Sequence, residues 1–190
     1  MNTPRNTSEL NMASIQMVST PSLNENLEVA ARLIKSAADS GAQLAVLPEY
    51  FCLMGLKDTD KVHARETAGS GPIQERLAAM AQENNIYLVA GTIPLEAQES
   101  NKVLNTSLVF DLQGKQIARY DKIHLFGFQT ETERYEESET IAAGSQPGQF
   151  AIKLNELDWH FGLSICYDLR FPELYRSLGQ VDCHIIPAAF

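Results

Sequence analysis

The chain is poor in several things whose scarcity is informative. Its 190 residues hold one tryptophan and three cysteines, Cys52, Cys166 and Cys183. Three cysteines are too few for a disulfide framework, an odd number leaves one unpaired, and none forms a C-x-x-C pair. That disfavours a disulfide-stapled secreted fold, and equally a thiol redox protein, which needs a resolving cysteine. The four histidines (His63, His124, His160, His184) are scattered without metal-ligand spacing, so neither a metal nor a cofactor is expected. No Lys/Arg-rich run offsets the net charge of −9, which comes from 15 basic and 24 acidic side chains. Nucleic acid and anionic membrane surfaces are therefore poor partners. No apolar run approaches the length of a membrane span, and the opening MNTPRNTSEL lacks the apolar core of a secretory signal. A cytoplasmic protein with a flexible tail over residues 1–11 is expected.

What is present is an alternation of strand and helix patterns. Met12–Val18 reads as a strand. In NENLEVAARLIKSAADSG, Leu27, Ala30, Ala31, Ile34, Ala37 and Ala38 form one helical stripe, with Asn24 as N-cap and Gly41 as the left-handed stop. Gln43–Glu49 is a second strand, halted at Pro48. GPIQERLAAMAQENN is a helix with Pro72 in its first turn, and Ile86–Thr92 is a third strand. Such alternation predicts a layered α/β domain over residues 12–190. Two hairpins follow, one around Asp111–Gly114 and one around Asn155–Asp158. Between them Gln129–Gly144 carries five glutamates and no periodicity, and reads as a loop. PELYRSL is a short helix closed by Gly179, and Cys183–Phe190 holds a last strand.

Three residues stand at the ends of these patterns. Glu49 closes LAVLPE, Lys122 lies in ARYDKIHLFGF, and Cys166 lies in GLSICYDLRFPEL at a strand–helix elbow. Taken singly, each has a plain reading: a solvated loop glutamate, a surface lysine, a small buried thiol. Together, LAVLPEY, YDKIHLF and LSICYDLRFPEL resemble, in order, the three signature segments of the nitrilase (carbon–nitrogen hydrolase) superfamily. The resemblance implies an α-β-β-α sandwich and a triad of Glu49 as general base, Lys122 as cationic stabiliser and Cys166 as nucleophile. YEES resembles the family's second glutamate segment and implies Glu137 as a fourth member. Tyr50 and the backbone N–H of Tyr167 are expected to line the substrate site. His124 is expected to be structural, Cys52 and Cys183 packing residues, and Asp168, Arg170 and Glu173 polar supports of the elbow.

The residue types suit acyl transfer. A thiol titrates near 8.5. A lysine cation about 4 Å away favours its thiolate by up to ~4 kcal/mol at an effective dielectric near 20, and a glutamate at that range opposes it by as much. The fields cancel, so the resting thiol need not be ionised, and a base that takes its proton during attack is useful. Nitrilases proper usually carry Trp-Glu after the nucleophile. Here it is Tyr-Asp, which resembles the amidase branch acting on small carboxylate-bearing linear amides. The expected partners are such an amide and water, with a homo-oligomer possible by analogy. The rival readings are a nitrilase or carbamoylase of the same superfamily and a non-catalytic binding or assembly protein that keeps the fold. Family domains continue beyond the segment resembling IIPAAF, so a C-terminally incomplete domain is also expected.

Overall fold

A computed structural model describes residues 9–154 and 156–189. In chain order the elements are β1 (Met12–Ser14), α1 (Leu23–Asp39), β2 (Leu44–Val46), α2 (Asp60–His63), α3 (Pro72–Glu83), β3 (Tyr87–Val89), β4 (Ile93–Glu96) and β5 (Val103–Phe110). They continue with β6 (Gln116–Asp121), β7 (Gly127–Gln129), β8 (Arg134–Glu136), β9 (Ile141–Ala142), β10 (Gly148–Leu154), β11 (Leu157–Leu163), α4 (Pro172–Ser177) and β12 (Cys183–Ile185). None of the described helices is long and apolar enough to cross a membrane.

The first sheet runs β1-β2-β3-β5, with β1, β2 and β3 parallel. Strand β5 is its hinge. It pairs with β3 and β4 along one edge and with β6 and β9 along the other, because β4 and β6 both take Thr106 as a partner and β3 and β6 both take Val109. A smaller sheet, β10-β11-β12, stands apart. Strands β2, β3 and β5 of the first sheet are buried on both faces, which is why β2 and β3 read as continuous apolar runs. Ala45, Leu88, Leu108 and Phe110 pack with Ile34 of α1 and Leu77 of α3. Their alternate neighbours Leu44, Val89 and Val109 pack on Phe150, Phe161, Leu163 and Ile185 of the second sheet. One period-2 pattern thus builds two layers of core, the α-β-β arrangement expected of the sandwich, and α4 supplies helix at the second sheet, with Gln149 Nε2 donating to the Leu178 carbonyl.

Several expectations need correction. The cap of α1 is Ser22, whose side chain accepts from Glu25 N; Asn24 lies inside the helix. Asn26 helps to set this start, because its buried amide bonds Thr20 on both sides and donates to the Cys52 carbonyl. Gly41 does adopt the left-handed conformation past the helix end, at φ 90°. Residues 129–144 are more than a loop: β8 pairs with β7, a 3-10 turn spans Glu137–Glu139, and β9 joins β5. Strands of two or three residues hold too little of a period to be read, and their backbone partners lie elsewhere in the chain. Most of the expected tail lies outside the described residues, as do Asn155 of the expected second hairpin and Phe190 of the expected last strand.

Candidate active site

Glu49 lies three residues beyond β2. Leu47 N still donates to Val89 O at 3.0 Å, and Pro48 then ends the ladder. The turn leaves Tyr50 in a left-handed conformation at φ 55°, its N–H donating to Thr92 Oγ1 at 2.9 Å. A non-glycine residue there is strained and persists only where its surroundings hold it. The close approach of Gly91 is one such constraint. Its φ is 50°, and a Cβ at this position would lie 2.0 Å from the Pro48 carbonyl oxygen. Gly91→Ala is therefore expected to cost about 1–3 kcal/mol or more, read as a lowered urea midpoint. A midpoint equal to wild type would show that the contact does not set the Glu49 backbone.

Lys122 follows β6, with its N–H on Asn105 O and its carbonyl accepting from Gly144 N. Its side chain turns inward and is 1% exposed. Nζ stands 2.9 Å from Glu49 Oε1 and 2.9 Å from Glu137 Oε2. Glu137 opens the 3-10 turn and is tied three further ways: its N–H donates to Phe126 O, Phe126 N donates to Oε2 at 2.7 Å, and the Tyr50 hydroxyl donates to Oε1 at 2.7 Å. Asn105 Nδ2 and Ala189 N complete the shell of Glu49, at 2.9 and 3.1 Å. Neither was singled out in the sequence. Asn105 reads there only as part of a strand, and a backbone N–H leaves no residue signature.

Cys166 opens a second 3-10 turn, Cys166–Arg170, with φ 45°, so the apolar strand ends earlier, at Leu163. Its N–H donates to Pro187 O, and its Sγ lies 3.8 Å from Ala189 O. Asp168, fully buried, clamps this elbow to the lysine segment by accepting from Ile165 N, Tyr120 Oη and His124 N, with His124 Nδ1 2.7 Å away. The His124 ring stacks on Phe171 with centroids 3.7 Å apart, so the expected structural role has a physical content. Arg170 and Glu173, expected as further supports, stand exposed instead; Glu173 pairs with Arg176 one turn on along α4, on the helix's solvent side. Tyr167 packs edge-on against Phe126 and Phe171. Cys52 is buried, its thiol pushed up to about 12 chiefly by burial, and Cys183 sits in β12.

The electrostatics follow from these distances. Burial raises the pKa of Glu49 against the opposing pull of Lys122. Burial also works against the Lys122 charge, but Glu49 and Glu137 outweigh it and the net shift is upward. The Cys166 thiol is pushed up to about 11, first by burial and then by the Glu49 charge, with Lys122 acting the other way. Burial thus favours the protonated thiol, while the Glu49 and Lys122 charges oppose each other, in line with a resting thiol that need not be ionised.

The Carbon-nitrogen hydrolase family matches residues 11–189. The chain belongs to the carbon–nitrogen hydrolase family. Among its relatives, the Deaminated glutathione amidase of Synechocystis sp. is 40% identical over 94% of this chain and 65% of its own length. Omega-amidase NIT2 of Xenopus tropicalis is 36% identical over 94% of this chain and 63% of its own length. The crystal structure of Saccharomyces cerevisiae Nit3, a member of branch 10 of the nitrilase superfamily, superposes with a TM-score of 0.78 at 30% identity, covering 95% of this chain and 65% of that one. The chain thus spans a little under two thirds of the length of the curated relatives it matches. The nitrilase-type sandwich expected from the motifs is the fold of this chain.

Proposed function

We propose that this chain acts in the cytoplasm as an amidase that cleaves the C–N bond of a small linear amide bearing a carboxylate, through a thioester on Cys166, with release of ammonia. The observation that carries it is the buried Glu49–Lys122–Glu137 network beside a strained cysteine elbow. Ion pairs of this burial cost desolvation that a merely structural site could avoid with apolar residues. The family and the amidase names of its relatives support the reaction class.

In this reading Glu49 takes the thiol proton as sulfur attacks the amide carbon. The raised pKa of Glu49 makes it a stronger base for that proton. Lys122 Nζ and the Tyr167 N–H hold the oxyanion. Protonated Glu49 delivers the proton to the departing ammonia, which leaves a thioester. Glu49 then takes a proton from water as its oxygen attacks, and the carboxylic acid product departs as the sulfur regains a proton. Glu137 holds Lys122 at its position, and Tyr50 and Tyr167 line the site.

Rapid acid quench during turnover, followed by mass spectrometry of the cysteine-bearing peptides, is the test. An acyl mass increment on the Cys166 peptide is expected, absent from those of Cys52 and Cys183. Steady turnover with no increment on Cys166 at any quench time would sink the thioester.

A further inference from the structure

The described residues hold a second ammonium beside this site that the reaction does not use. Lys61 lies on α2 with its side chain only 16% exposed, and its Nζ stands 5.5 Å from the centre of the Tyr50 ring. The hydroxyl of that ring hydrogen-bonds to Glu137. One aromatic side chain therefore meets the catalytic network with its hydroxyl and Lys61 with its face. The carboxylate that pairs with Lys61, Asp58 Oδ1, is 3.7 Å away, past hydrogen-bonding reach, and Asp58 is itself 61% exposed. A pair of that kind contributes little, while a largely buried ammonium needs an anion in direct contact to offset its desolvation. Accordingly, burial holds the Lys61 pKa below the ordinary lysine range, with Asp58, Glu137 and Glu49 acting the other way.

Room for such an anion exists. A cavity of about 80 Å³ opens between Lys61, Lys57, Tyr50, Leu53, Met54 and Tyr135, with the largely exposed Asp58 also on its wall. Charge also argues for it. Glu49 and Glu137 against Lys122 leave one negative charge in excess, a field that opposes an anionic substrate. Lys61 offsets it, and both glutamates are close enough to act on Lys61 electrostatically.

We propose that Lys61 is the specificity residue that receives the distal carboxylate of the substrate, with Leu53 and Met54 beside the substrate's methylene chain and the Tyr50 ring against the Lys61 ammonium. This rests on the amidase reading above and adds the carboxylate-recognition residue to it.

The test compares succinamate and glutaramate with butyramide and pentanamide, neutral amides of the same carbon lengths. Ammonia release is measured for the 190-residue chain and for Lys61→Met, Lys61→Arg and Cys166→Ala. Lys61→Met is expected to lower kcat/KM for the anionic amides about 10–100-fold, mostly through KM, and to leave the neutral amides unchanged. Lys61→Arg is expected to retain most of the anionic preference. Equal losses on both amide classes, or none on the anionic ones, overturn the assignment. A wild-type chain that hydrolyses none of the four defeats the amidase reading alone. The subsite is then judged by calorimetric titration with succinate and glutarate: binding that Lys61→Met abolishes supports it, and no binding to wild type overturns it.

Discussion

Replacing Glu49 by glutamine is expected to move two rates of the same cysteine in opposite directions. Amide hydrolysis should fall about 10²–10⁴-fold, because the proton that must leave the thiol and reach ammonia loses its carrier. Alkylation of Cys166 by iodoacetamide needs only thiolate, and should become faster. With the thiol pushed up to about 11, about one molecule in a thousand is ionised at pH 8. The Glu49 charge is the largest cause of that elevation after burial, and glutamine removes it. Each unit by which the pKa falls raises the thiolate population at pH 8 tenfold and lowers its intrinsic nucleophilicity, for a net gain of about threefold. The sign with pH follows. Wild-type alkylation should climb about tenfold per pH unit from 8 to 10 and level near 11, and the Glu49→Gln profile should level at lower pH. If both rates fell together, Glu49 would be supporting the elbow rather than carrying a proton.

Lys122→Met should be the most damaging substitution for stability. Glu49 and Glu137, 1% and 4% exposed, would face each other without the cation between them. Removing one partner of a buried ionic group costs about 3–5 kcal/mol, and hydrolysis should fall at least 10²-fold with the loss of an oxyanion donor. In wild type the pKa of Lys122 is raised in the folded state. Its stabilisation is therefore fully present below the unfolded lysine pKa and is lost only as pH rises through the higher folded value. In the variant the dependence moves to the carboxylates. Two buried neighbours cannot both ionise without repulsion, so the folded state binds an extra proton, and stability should increase as pH falls from 8 to 5. Urea unfolding at three pH values reads this directly. A second change, Glu137→Gln, should recover part of the loss at pH 8. A single variant with the wild-type midpoint and no pH trend would contradict the ionic account.

Much of the fold is legible in the sequence because it is written at short range. The stripe from Leu27 to Ala38 and the block from Pro72 onward carry their own period, and both helices lie within a residue or two of where the pattern puts them. The runs at 44–46 and 87–89 are apolar on both faces, which identifies buried strands. The hairpin at Asp111–Gly114 is dictated by Asp111, whose side chain accepts from Gln113 N and Lys115 N. The segment from 129 to 144 resists such reading. Its strands are two or three residues long, and β9 exists only because β5 lies beside it. The choice of Ser22 over Asn24 as cap is similar, since it depends on Asn26 reaching the Cys52 carbonyl.

By itself the sequence carried, through its resemblance to three signature segments, the family, the class of fold and Glu49, Lys122 and Cys166 as site candidates, with Glu137 one glutamate among five. Only the tertiary structure decided that the Glu49, Lys122 and Glu137 side chains share one buried network. Lys122 meets Glu49 across 73 intervening steps of chain, and Ala189 reaches it across 140. It also decided that the five glutamates of residues 129–144 are unequal, with Glu137 turned inward by Phe126 and Tyr50, and that Lys61 lies over the ring of that tyrosine. Such relations have no local signature, because the packing of two sheets and the crossing of β5 by four partners bring the groups together, and no periodicity along the chain records it.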